Sequence, residues 1–202
     1  MSKQYFDAAP DCESRPVVLT VPADGGTLTF ETDAGVFSKG ELDEGTKLLL
    51  ENAGMLQGRV LDLGCGWGAI GITVAKRFPE TEVWMCDVNE RAVALARKNI
   101  LQNQACNARA VLSDGFSAVE GSFDTILTNP PIRAGKSVIY GFFRDAAQRL
   151  TPNGSLILVI RKQQGAESAE RYLKTIYENV LRLDRKKGFW ILQCSYPIKT
   201  TN

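Results

Sequence analysis

"VLDLGCGWGAIGITVAKRFPETEVWMCD", residues 60–87, carries the rhythm that decides the fold. VLDL (60–63) is an apolar run of strand length. WGAIGITVAKRF (67–78) has helical composition and is stopped by Pro79, and VWMCD (83–87) is a second apolar strand. Strand, helix and strand in so short a span imply two parallel strands joined by a helical crossover.

The same alternation continues downstream. A helix over 89–103 begins at Asn89, a residue suited to an N-cap. ARAVLS (108–113) and FDTILT (123–128) read as strands, followed by a helix from about Ser137 to Leu150 and the strand GSLILVI (154–160). A helix across 166–179 leads to VLRLDR (180–185) and FWILQCS (189–195). Lys186-Lys187-Gly188 is far too short for a crossover, so these last two strands form an antiparallel hairpin. Upstream, PVVLTV (16–21) and TLTFE (27–31) flank a Pro-Ala-Asp-Gly-Gly turn, and 41–52 is helical with Gly54 as its stop. Residues 1–58 are therefore expected to form an extension covering the ligand site of a main domain, 59–202.

The chain has 202 residues, 44% of them hydrophobic and 23% charged, with no apolar run of membrane-spanning length. Its N-terminus lacks a signal-peptide core, which makes the cytoplasm the expected location. Five cysteines without a CxxC pair argue against a disulfide framework and against zinc. There is no histidine, which removes Ser-His-Asp and Cys-His catalysis and every His-containing metal motif. The net charge of +1 hides a gradient: 4 Lys/Arg against 10 Asp/Glu in residues 1–58, and 9 against 4 in 161–202. The basic end can face phosphates or simply be a solvated face.

Three groups of residues point to a ligand. The first strand–helix turn, DLGCGWG, brings Asp62, Gly64, Gly66 and Gly68 to one strand end. Glycines there let the backbone approach a ligand without Cβ clashes. Asp87 ends the next strand, 19 residues beyond Gly68, where a carboxylate accepts from ribose hydroxyls. Ser113-Asp114 closes the third strand at the same edge, either near an adenine amine or as a turn cap. A nucleoside cofactor follows, either a dinucleotide or S-adenosylmethionine; the spacing GxGxG lacks the third glycine of GxGxxG.

TNPPI (128–132) separates the two. It ends the fourth strand, which lies beside the first at the switch point where open α/β sheets bind ligands. The Asn129 amide oxygen and a carbonyl fixed by Pro130-Pro131 can accept both hydrogens of a planar NH₂ group. A methyl on a sulfonium is already activated, so an amine needs orientation more than a strong base. That chemistry needs no imidazole.

DLGCGWG, the acidic end of VWMCD, the Ser-Asp pair and TNPPI together resemble the successive motifs of class I S-adenosylmethionine-dependent methyltransferases. Within that class the chain resembles the small methyltransferase domain group, which includes bacterial guanine-N2 methyltransferases of small-subunit ribosomal RNA. DAGVFSKGELDEGTKLLL, RKQQGAES and RKKGFWIL are similar to further segments of that group, so the resemblance covers nearly the whole chain.

It implies a Rossmann-like α/β fold, a seven-stranded sheet of order 3-2-1-4-5-7-6 with the seventh strand antiparallel and helices on both faces. It also implies S-adenosylmethionine as cofactor and RNA, ribosomal RNA or the ribosomal subunit, as partner, with no metal and no membrane. Gly64 and Gly66 would line the methionine and ribose path, with Asp62 and Gly68 in the same cofactor-binding set. Asp87 would hold ribose and Asp114 adenine, while Phe37 and Ser38 would close over the cofactor. Asn129, Pro130, Pro131 and Ile132 would form the catalytic clamp, with Asn129 touching the cofactor as well. Arg133, Lys136, Arg161 and Lys162 are the expected nucleic-acid contacts. Ile132 departs from the pattern, since many Asn-Pro-Pro enzymes have Tyr or Phe there, able to stack on a planar base or amide. It leaves open a protein glutamine amide or a small-molecule amine as the alternative target, with a non-catalytic binding domain the third reading.

Overall fold

Along residues 60–63 the side chains of Val60, Leu61 and Leu63 are all fully buried, so this strand needs cover on both faces. The computed structural model, which describes residues 13–23, 26–36 and 41–198, supplies it. In chain order the elements are β1 (Val17–Ala23), β2 (Gly26–Thr32), α1 (Glu44–Asn52), β3 (Arg59–Leu63), α2 (Ala69–Arg77), β4 (Glu82–Asp87) and α3 (Glu90–Gln102). They continue with β5 (Ala108–Leu112), β6 (Phe123–Thr128), α4 (Lys136–Arg149), β7 (Leu150–Arg161), α5 (Ala166–Leu173), β8 (Tyr177–Lys186) and β9 (Phe189–Pro197).

Seven strands form one sheet in the order β5-β4-β3-β6-β7-β9-β8, with β9 antiparallel to both its neighbours. Counted from β3, this is the expected 3-2-1-4-5-7-6 order. Alternate residues feed two separate cores. Val60, Val83, Leu127 and Ile157 face α1, α2 and α3, whereas Leu61, Ile126 and Leu156 face α4 and α5. Between β3 and β6 the connections diverge to opposite sides, leaving a crevice at their carboxyl ends. Thr128 Oγ1 donates to the Leu63 carbonyl (2.8 Å) and ties the two strands together at that point.

The β1–β2 hairpin is a sheet of its own, and side-chain amides attach it to α3. Asn99 accepts from Glu31 N (2.8 Å) and donates to Glu31 O (2.9 Å). One turn later Asn103 repeats the pair with Thr29, at 2.9 and 2.8 Å. A helical step of four residues rises about 6 Å, close to the roughly 6.8 Å repeat of a strand, so two asparagines can imitate a neighbouring strand. Phe30, fully buried between these rungs, meets Trp67 edge to face at 4.9 Å.

Two boundaries differ from the sequence reading by more than three residues. The helix expected across 166–179 ends at Leu173, and the chain turns before entering β8 at Tyr177. Tyr177 is pulled into the core, where its hydroxyl donates to the Phe143 carbonyl of α4 (3.1 Å). Burying that ring outweighs a helical propensity worth only tenths of a kcal/mol per residue. β7 starts earlier than expected, at Leu150, where it pairs with Phe123 before a register shift. The β8–β9 turn is the two-residue Lys187-Gly188 loop, with φ of 52° and 79°, a conformation matched to the twist of a hairpin.

Candidate active site

The Gly turn is fixed to the end of β4. Gly64 N and Cys65 N both donate to the Cys86 carbonyl (2.9 Å each), and Gly66 N donates to Asp87 Oδ2 (2.8 Å). Gly64 and Gly66 take φ of 75° and 56°, a region unfavourable to other residues, and a Cβ on either would project into open space. That space belongs to a cleft that both glycines line. Gly68 (φ 92°) faces the other way: its Cβ would stand 2.9 Å from Ile72 Cδ1 and 3.4 Å from Ala96. Its lack of a side chain serves the packing of α2 against α3.

Asp62 lies beneath the turn, away from the cleft. It is fully buried, accepts from Gly71 N through Oδ2 (2.9 Å), and its Oδ1 has no hydrogen-bond partner. Burial, with the Asp87 charge adding to it, pushes its pKa from 3.8 up to about 7. The folded protein then keeps a proton that the unfolded chain has already released above pH 3.8. The stability tied to Asp62 is therefore whole below that pH and falls as pH rises towards 7, at up to about 1.4 kcal/mol per pH decade. Urea titrations between pH 4 and 7 should show a shallower fall for Asp62→Asn than for the native protein; parallel slopes would contradict the assignment. Asp87, also raised by burial, leaves a residual slope of the same sign.

A cleft of about 630 Å³ opens over Gly64 and Gly66. Asp87 borders it, its second oxygen accepting from Asn89 N (2.9 Å). Ser113 and Gly115 line the far end, while Asp114 between them is exposed to solvent. Val36, Val88 and Phe142 supply its apolar walls. The Phe142 ring lies so close over Gly115 that a Cβ there would be 3.3 Å from it. Sequence reasoning passed over all three. Val88 follows the acidic strand end, and that placement was its only signal. Nothing in the helical pattern marks Phe142. Phe37 and Ser38 lie outside the described residues.

Asn129 and Pro130 stand where this cleft meets a second, more open groove of about 1150 Å³. The groove is bordered by Asp43, Ile132, Arg133, Arg161, Gln164 and Phe189, with the Arg161 guanidinium 4.6 Å over the Phe189 ring. The Asn129 NH₂ donates to Asp43 (3.3 and 3.4 Å) and to Thr46 Oγ1 (3.1 Å). Ala134 N donates to the Pro131 carbonyl (2.8 Å). Of the four expected nucleic-acid contacts, Arg133 and Arg161 border the groove. Lys136 is exposed at the start of α4, and Lys162 lines a separate shallow hollow with Arg171.

The arrangement has close counterparts. The model of the methyltransferase small domain matches residues 27–193. Uncharacterized protein YbxB of Bacillus subtilis is 40% identical over 197 residues, covering 96% of this chain and 98% of that protein. Ribosomal RNA small subunit methyltransferase C of Hahella chejuensis is 42% identical over 141 residues, 67% of this chain but 41% of its own length. Among solved structures, the T. thermophilus 16S rRNA N2 methyltransferase RsmC, in complex with AdoMet and guanosine, superposes with a TM-score of 0.82 at 28% identity. That match covers 93% of this chain and 52% of the other, so this chain spans about half the length of these two methyltransferases. With a family match over most of its length and the sheet order of that fold, the chain belongs to the methyltransferase small domain family, class I enzymes that take their methyl group from S-adenosylmethionine.

Proposed function

We propose that the protein methylates an exocyclic amine of RNA, with guanine N2 of small-subunit ribosomal RNA as the target. The carrying observation is that Asn129 and Pro130 stand at the junction of two cavities, one cradled by glycines and the other open to solvent. The glycine cradle suits S-adenosylmethionine: Gly64 and Gly66 leave room for its amino-acid and ribose portions, and Asp87 offers a carboxylate to ribose. Val88 and Phe142 provide apolar faces for its adenine. When bound, that cofactor supplies a methyl on a positively charged sulfur, which an amine nitrogen can take while the sulfur keeps the electron pair.

The chain's own contribution is orientation. Asn129 Oδ1 and the Pro130 carbonyl accept the two amine hydrogens and leave the nitrogen lone pair directed at the cradle. Holding reactants in such a geometry is worth roughly 7–11 kcal/mol of a barrier. The nitrogen's surplus proton leaves to water through the open groove. Arg161 stacked on Phe189, with Arg133 nearby, gives the groove a flat cationic wall suited to a base and its phosphates. The guanosine bound in the T. thermophilus structure supports the same substrate class.

Ile132 borders the groove where an aromatic would stack on a planar target, and it leaves the alternative target open, a protein glutamine or small-molecule amine. One experiment separates the two. The purified protein is incubated with methyl-labelled cofactor and small ribosomal subunits, naked ribosomal RNA or a protein extract. Label recovered as N2-methylguanosine after RNA digestion is expected, whereas label confined to protein would reject RNA as the substrate.

A further inference from the structure

The segment Asp43-Glu44-Gly45-Thr46 opens α1, and two of its side chains, Asp43 and Thr46, accept from the Asn129 amide. Asp43 is the N-cap, its Oδ1 accepting from Gly45 N (3.0 Å) and Thr46 N (3.2 Å). Its Oδ2 takes the hydroxyl hydrogen of Thr46. Gly45 is held against the Phe189 ring, which a Cβ would approach to 2.9 Å, and Lys187 pairs with Glu44. The β8–β9 hairpin therefore clamps the very turn of α1 that meets Asn129.

We infer that Asp43 and Thr46 are positioning residues that lock the Asn129 amide in one of its two flip states, with Oδ1 turned to the substrate groove. The reason is chemical. A carboxylate only accepts, and the one hydrogen of the Thr46 hydroxyl is spent on Asp43. A flipped amide would set its own oxygen against three acceptor oxygens with no hydrogen between them, while its NH₂ would face the amine it should receive. Donation to an anion also polarises the amide and makes Oδ1 a better acceptor. Nothing else in the Asp-Glu-Gly-Thr run explains why a cap residue should be reached by a side chain 86 positions away.

This inference rests on the proposal that Asn129 Oδ1 accepts from the target amine, and its test has an arm that needs no substrate. In ¹⁵N-labelled protein the side-chain amide signals of Asn129 are identified by their loss in Asn129→Ala. Their hydrogen exchange should be slow in the native protein and accelerate about tenfold or more in Asp43→Ser. Serine caps a helix as well as aspartate does, so Asp43→Ser retains the fold while removing the charge.

With the methyl acceptor in hand, Asp43→Ser should lower kcat roughly ten- to hundredfold with cofactor affinity and KM unchanged. Asn129→Asp, which sets two carboxylates together, should be worse still. Adding Asp43→Asn to it exchanges amide and carboxylate across the pair and should recover at least about tenfold of the loss. Unchanged amide exchange in Asp43→Ser, or no recovery in the exchanged pair, would overturn the inference. If the native protein labels no RNA while the amide exchange responds as expected, the substrate reading fails and the positioning assignment stands.

Discussion

Asn129→Ala should lower single-turnover methyl transfer by roughly 10²–10³-fold, the scale seen when one preorganised hydrogen-bonding group is removed from an active site. Asn129 borders the cleft, yet cofactor affinity should change only about two- to threefold, because the Gly turn and Asp87 keep the cradle that this change leaves in place. The fold has no need of the amide. With Asn129 gone, Asp43 still caps α1 through Gly45 N and Thr46 N and still receives the Thr46 hydroxyl. Thr128 still ties β6 to β3. Calorimetric titration of the cofactor beside rapid-quench transfer assays checks the split. A parallel loss of cofactor binding and thermal stability would make Asn129 a structural joint instead.

Much of this architecture was legible because it rests on local patterns. The apolar runs, the stop at Pro79, the Asn89 cap and the impossibly short link at Lys186-Lys187-Gly188 each fix one element, and together they leave few topologies. Asn129 was legible because two prolines isolate it at a strand end. The pieces that escaped are those fixed by distant neighbours. Tyr177 ends a helical stretch only because α4 offers a buried carbonyl 34 positions away. Phe142 became a cleft wall only once α4 had packed beside Gly115. Asp43 and Thr46 read as an ordinary helix start, since the amide they hold lies more than 80 residues downstream. The three glycines of the turn look alike as letters, yet the backbone gives them two different jobs.

That difference supplies the second large effect. Gly66→Val should raise the cofactor Kd by at least about a hundredfold, since its side chain would fill the open space over the turn and restricted φ adds about 1–2 kcal/mol of strain. The melting temperature should drop only by the few degrees that such strain accounts for. Gly68→Ala should do the reverse. Its Cβ would meet Ile72 Cδ1 at 2.9 Å and Ala96 at 3.4 Å, and its φ of 92° adds the same strain as at Gly66, so the change costs about 1–3 kcal/mol while the cradle keeps its shape. Thermal melts and cofactor titrations on both variants place each on one of two axes, binding or stability. Should Gly68→Ala weaken binding as strongly as Gly66→Val at equal stability, Gly68 belongs to the cofactor site with the other two. Should Gly66→Val bind normally, the cleft above Gly64 and Gly66 is not where the cofactor's ribose and amino-acid portions lie, and the clamp at Asn129 loses the geometry that gives it a methyl to aim at.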